Sequence, residues 1–124
     1  MNQYEVVIVN LDPTVGSEIK KTRPCIIISP NEMNKILNTV IIVPITSNKK
    51  KYPTRVSIVK GDIKGMVAID QIRTIDKKRI VEGKGRISTK TSVKIKKVIR
   101  DPYSEIFELG KFSKEPSGDF LVTI

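Results

Sequence analysis

The sequence predicts a mainly β protein with short helices, folded as a small β-barrel or a strongly bent sheet. Three observations carry this. Short runs rich in β-branched residues recur: YEVVIV at Tyr4–Val9, CIIIS at Cys25–Ser29 and VIIVP at Val40–Pro44. Turn residues separate them, with Asp12-Pro13 and Gly16 after the first and Pro30-Asn31 after the second. Helical periodicity is clear only near the C-terminus, so few helices cover the sheet. A sheet of this kind closes on itself or protects its edges.

Each element has its own reason. The unbroken apolar runs of the first three strands predict burial on both faces. Pro24 holds Arg23 extended just ahead of the CIIIS strand. In NEMNKIL, Met33, Ile36 and Leu37 fall at helical spacing, and Asn31 is a candidate N-cap. The polar, basic NKKKYP at Asn48–Pro53 reads as a connection. Thr54–Val59 (TRVSIV) alternates polar and apolar, as a half-exposed strand does. Gly65–Asp70 and Gln71–Ile75 make one long strand or two joined at a bulge, and Arg79–Ser88 adds another. Along Thr91–Arg100, Ile95, Val98 and Ile99 share one helical face. Pro102 ends that helix, and Asp101-Pro102 opens a second short one, Tyr103–Leu109. Residues 1–109 form a single domain. Residues 110–124 are a tail of changed composition, either flexible or docked as an extension.

Composition bounds the function. A chain of 124 residues fits one domain. It carries 23 Lys+Arg against 13 Asp+Glu, a formal net charge of +10, which calls for an acidic partner. It has no histidine and one cysteine, Cys25. That excludes a four-ligand Cys/His zinc site, an internal disulfide and any catalytic triad built on imidazole. No apolar run approaches the ~20 residues that span a bilayer, and the first residues lack a signal-peptide pattern. The expected place is the cytoplasm, without membrane contact. Basic clusters lie at Lys20, Lys21 and Arg23; at Lys49, Lys50, Lys51 and Arg55; and from Lys84 through Arg86 to Arg100. Such clusters are the footprint of nucleic acid. With three Phe, three Tyr and no Trp, a stacking platform for bases is not evident.

Four places hold polar side chains at strand ends or in loops, where small barrels display function. Arg23 offers a guanidinium on a stiff base, suited to bidentate phosphate binding or to a surface ion pair. Thr46-Ser47 puts two hydroxyls at the end of a buried strand, for a phosphate, a ribose or a backbone turn. Asp70-Gln71-Ile72-Arg73-Thr74-Ile75-Asp76 follows; alternation places Gln71, Arg73 and Ile75 on one face, and Asp76 with Arg79 braces a turn. The loop Asp12–Ser17 has Gly16 as a candidate for positive φ, with Ser17 beside it. Lys50, Lys51 and Arg86 are the candidate nucleic-acid contacts from the basic clusters.

Together, Leu11–Pro30 (LDPTVGSEIKKTRPCIIISP), Val40–Ser47 (VIIVPITS) and Asp70–Ile80 (DQIRTIDKKRI) resemble the MazF/PemK/Kid toxins of bacterial toxin–antitoxin systems. Order and spacing agree from about Met1 to Arg100. The resemblance implies an SH3-like, CcdB-like β-barrel with a C-terminal helix, forming a homodimer. It implies an endoribonuclease that cuts single-stranded RNA at short sequences without a metal or other cofactor. It also implies a cognate acidic antitoxin whose disordered tail occupies the RNA groove. By position, Arg23 and Thr46 match residues treated as catalytic in such toxins. Gln71 matches a supporting or RNA-binding glutamine, and Ser47 and Asp70 are weaker matches. Some plasmid-encoded relatives use a histidine and a further arginine where this chain has Ser17 and Ala68. If the general base is a carboxylate, Asp70 is the nearest candidate by sequence. The competing readings are a non-catalytic RNA- or peptide-binding module on the same barrel, and a gyrase-poisoning toxin.

Overall fold

The computed structural model describes residues 1–11 and 21–100. Within them the order is β1 (Glu5–Asn10), β2 (Thr22–Ile27), α1 (Asn31–Ile36), β3 (Thr39–Thr46), β4 (Arg55–Lys60), β5 (Ile63–Ala68), β6 (Arg73–Asp76), β7 (Ile80–Arg86) and α2 (Thr89–Arg100). Short 3-10 turns occupy Ile69–Gln71 and Lys77–Arg79. Every strand pair is antiparallel, in the order β4-β5-β3-β2-β1-β7, with β6 also on β3. β3 shares one edge between two partners: Thr39–Ile42 pair with β6, and Ile45–Thr46 pair with β5. Because β6 and β7 are consecutive yet bind β3 and β1, the strands must curl into a half-barrel. Two register shifts between β1 and β7 sharpen that curl.

The curled sheet carries an apolar cluster on each face. One joins Val6, Ile26, Val43, Ile45, Val56, Ile58 and Val67 to Ile95 and Val98 of α2. The other joins Val7, Val9, Cys25, Ile27, Val40, Ile42 and Ile75. Neighbouring residues of β1, β2 and β3 therefore enter opposite cores, which is why those strands read as unbroken apolar runs. Each buried Val or Ile contributes about 1.5–3 kcal/mol, so this two-sided centre is the least replaceable part of the molecule. β4 has one wet face, with Val56 and Ile58 buried and Ser57 and Val59 exposed, as its alternation predicts. Ser88 caps α2, its hydroxyl accepting the Thr91 N–H at 3.2 Å. Tyr4 adopts φ 66°, and from there its N–H reaches the Ile27 carbonyl while its own carbonyl accepts from Ile87.

Several expectations are corrected. β2 begins at Thr22, so Arg23 and Pro24 lie inside the strand rather than ahead of it. Gly65–Ile75 is neither one strand nor a bulge, since the Ile69–Gln71 turn breaks it and cancels strand alternation at Gln71. Asn31 does not cap α1; its side chain instead accepts the Gln3 N–H at 2.8 Å. The apolar face of α1 points outward, with Ile36 81% exposed, while Asn34 is the buried residue. Asn34 wins that place because its side-chain oxygen accepts the Ser29 hydroxyl at 2.5 Å and its amide nitrogen donates to the Ser29 backbone carbonyl at 2.9 Å. Gly16, Ser17, the Tyr103–Leu109 helix and the 110–124 tail lie outside the described residues.

Candidate active site

Two prolines shape the place where the sequence argument converges. Pro24 in β2 and Pro44 in β3 cannot donate to a ladder. The β2–β3 ladder runs from Ile27↔Ile42 to Cys25↔Pro44 and goes no further. Two more steps of that register would set Arg23 opposite Thr46. Here the strands part and leave a groove of about 420 Å³, lined by Arg23, Pro24, Ile45, Thr46, Ser47, Asp62, Ile63 and Lys64. The structure thus brings Arg23 of β2 together with Thr46 and Ser47 at the end of β3.

β5 supplies the other wall. Thr46 pairs with Met66, so Asp62, Ile63 and Lys64 overhang the end of β3. Gly65 makes the approach possible: a Cβ there would lie 2.3 Å from the Thr46 carbonyl oxygen. Asp62 sits in a two-residue turn between Lys60 and Ile63, with Gly61 at φ +60°. Positive φ at the first turn residue is what a type II′ hairpin requires. The sequence reading missed Asp62, Lys64 and Gly65. A Gly-Asp pair between two alternating runs was the available signal.

The electrostatics separate the candidates. Thr46 Oγ1 accepts the Asn48 N–H at 3.2 Å, so the hydroxyl proton remains to donate into the groove. Below it, burial pushes the Cys25 thiol up to about 12, against the opposing pull of the Arg23 and Arg73 guanidinium groups. Cys25 therefore stays protonated at neutral pH and is no nucleophile. Asp70 lies elsewhere. Its carboxylate accepts from Arg55 Nε at 2.8 Å, Arg55 Nη2 at 3.2 Å and Thr54 Oγ1 at 3.0 Å. Partial burial works to raise its pKa, but the Arg55 and Thr54 hydrogen bonds prevail and hold it below the ordinary carboxylate value. A carboxylate engaged in this way braces the β4–β5 end and is a poor base.

Gln71, Lys50, Lys51 and Arg86 do not line the groove. Gln71 is exposed on the 3-10 turn, and Lys50 and Lys51 are exposed after Asn48, whose side chain accepts the Lys50 N–H at 3.1 Å. Arg86 faces Glu5, while Arg23 faces Val9, a separation of about 13 Å along β1. Asp76 caps the Lys77–Arg79 turn by accepting the Lys78 N–H at 2.8 Å, as a structural brace does.

Comparison with known proteins identifies relatives of this sequence and fold. The family model described as PemK-like, MazF-like toxin of type II toxin–antitoxin systems matches residues 2–101. The endoribonuclease MazF of Staphylococcus saprophyticus is 36% identical over 105 residues, which covers 80% of this chain and 88% of that protein. A mycobacterial endoribonuclease solved in complex with its cognate antitoxin superposes with a TM-score of 0.67 at 25% identity, covering 77% of this chain and 87% of that one. A MazE–MazF structure from Deinococcus radiodurans shares the fold, with a TM-score of 0.69 at 20% identity over 84% of this chain and 95% of that one.

Proposed function

The chain belongs to the PemK-like, MazF-like toxin family of type II toxin–antitoxin systems, and on that premise we propose how its groove cuts single-stranded RNA. The observation that carries the reading is the shared placement of Arg23, Thr46 and Ser47 where β2 and β3 part. The 2′-oxygen of one nucleotide attacks the adjacent phosphorus. The P–O5′ bond breaks, and a 2′,3′-cyclic phosphate and a 5′-hydroxyl result. Arg23 places its fixed fork on the phosphate oxygens, where negative charge grows in the transition state. Thr46 donates its hydroxyl proton to a phosphate oxygen or to the ribose, and Ser47 adds a second donor. Lys64 neutralises a neighbouring phosphate. Positioning and charge supply the catalysis, with no imidazole and no bound metal required of these residues.

The same reading covers the partners. A net charge of +10 suits both RNA and an acidic antitoxin segment lying in the RNA groove. Lys50, Lys51 and Arg86 are then contacts for the flanking RNA, and Gln71 orients a nucleotide. The active form is a homodimer in the cytoplasm, with residues 1–109 as the toxin domain. Among the described residues no helix is long and apolar enough to cross a membrane. The test is incubation with a long single-stranded RNA in EDTA, beside Arg23→Ala and Thr46→Ala. Cuts at a recurring short motif, lost in both variants, are expected. Intact RNA with retained, salt-sensitive binding would instead mean a binding module.

A further inference from the structure

The cleavage reading leaves the proton of the attacking 2′-hydroxyl without an acceptor. Arginine and lysine carry no free lone pair when charged, and the chain has no histidine. Asp70, the candidate by sequence, is held by Arg55 and Thr54 outside the groove. Among the described residues one carboxylate lines the groove, and it is Asp62. It is exposed, and among those residues no ion pair or hydrogen bond engages it. Its setting is stiff. The two-residue hairpin fixes it, and Gly65 locks β5 against the Thr46 carbonyl a few residues on.

We infer that Asp62 is the general base of RNA cleavage, which deepens the function proposed above and rests on it. The carboxylate takes the 2′-hydroxyl proton as the 2′-oxygen bonds to phosphorus. The 5′-oxygen leaves with the bonding pair and takes a proton from solvent water. The charged groups that share the groove with Asp62 are Arg23 from β2 and Lys64 from β5; β3 offers only the neutral Thr46 and Ser47, and Lys60, ending β4 before the turn, places its ammonium beside Gly85 of β7. Arg23 and Lys64 hold the phosphate beside the carboxylate, which offsets the repulsion between two anions.

The test uses the full chain and a short RNA carrying the motif that the wild type cuts, under single-turnover conditions across pH. Asp62→Asn keeps the turn chemistry, so folding is checked by an unchanged melting temperature. The expected loss is about 10²-fold or more in rate, with RNA affinity unchanged or tighter. The fall in wild-type rate on acidification disappears in Asp62→Asn. Asp62→Glu recovers part of the rate together with that acid limb. Glu32→Gln, an exposed carboxylate removed from α1 at the opposite end of the β2–β3 pair from the groove, keeps both. Asp62→Asn cutting within about threefold of wild type, or keeping the acid limb, or losing rate only through weaker binding, would overturn the inference. A wild-type protein that cuts no RNA at any pH would overturn the cleavage reading itself.

Discussion

Arg23 and Thr46 share a groove because Pro24 and Pro44 stop the ladder between them. Half of this was legible in the residues alone. The stiff Arg-Pro step and the hydroxyls after a buried strand mark chemistry, but nothing local says that they meet. Arg23→Ala is expected to lower the cleavage rate about 10²–10³-fold, as loss of one transition-state donor does. Arg23→Lys recovers only part, since an ammonium keeps the charge and loses the fork; single-turnover rates on RNA decide this. Asp70 shows the limit of reading by motif. Beside Gln71 in sequence it looks functional, while in space it answers Arg55, whose side chain is 9% exposed. Asp70→Asn leaves that guanidinium without its carboxylate and is expected to cost about 1 kcal/mol in urea unfolding at pH 7. The sign with pH follows from the lowered folded pKa. The pair's contribution is complete above the unfolded value of 3.8 and is lost as pH falls through the lower folded value. The stability gap between wild type and variant therefore closes below about pH 3.8 and stays open at neutral pH.

At the scale of elements, β3 is the organising strand. It binds β2 on one edge, and β6 and then β5 on the other. Its unbroken apolar run announced burial on both faces, and the two clusters fulfil it. The change of partner along its edge left no such trace, because pairing is settled by the whole sheet and not by local pattern. Gly65 is where that change becomes tight. Gly65→Ala drives a methyl into the Thr46 carbonyl, a backbone atom that cannot swing aside. The expected cost is about 1–3 kcal/mol in thermal or urea unfolding, together with a loss of cleavage larger than the unfolded fraction explains, because Thr46 moves with its carbonyl. α1 teaches the converse. Its helical spacing was read correctly, but its apolar face is exposed, since the Ser29–Asn34 hydrogen bonds fix which side turns inward.

For the whole molecule, the bent sheet with few helices follows from short β-branched runs and a single well-marked amphipathic helix, and α2 duly closes the first core. The distribution of charge is a property of the surface and reads directly from the sequence. Lys50 and Lys51 stand exposed on the connection leaving the groove, beside Ser47. The expectation is that RNA affinity falls steeply with salt. Replacing both lysines by Ala lowers the slope of log K against log salt by about 1.4, roughly 0.7 for each phosphate contact to a single strand. Filter binding or fluorescence anisotropy over a salt series measures it.

The central claim is that RNA is cut by its own 2′-hydroxyl within the groove of Arg23 and Thr46. The most direct test is a set of oligonucleotides carrying the cleaved motif, each with one 2′-deoxynucleotide at a different position. The account predicts that the deoxy sugar on the 5′ side of the cut bond abolishes cleavage, while deoxy sugars elsewhere leave it, and that the all-ribose product ends in a 2′,3′-cyclic phosphate. Cleavage of the oligonucleotide lacking that one hydroxyl would contradict the account.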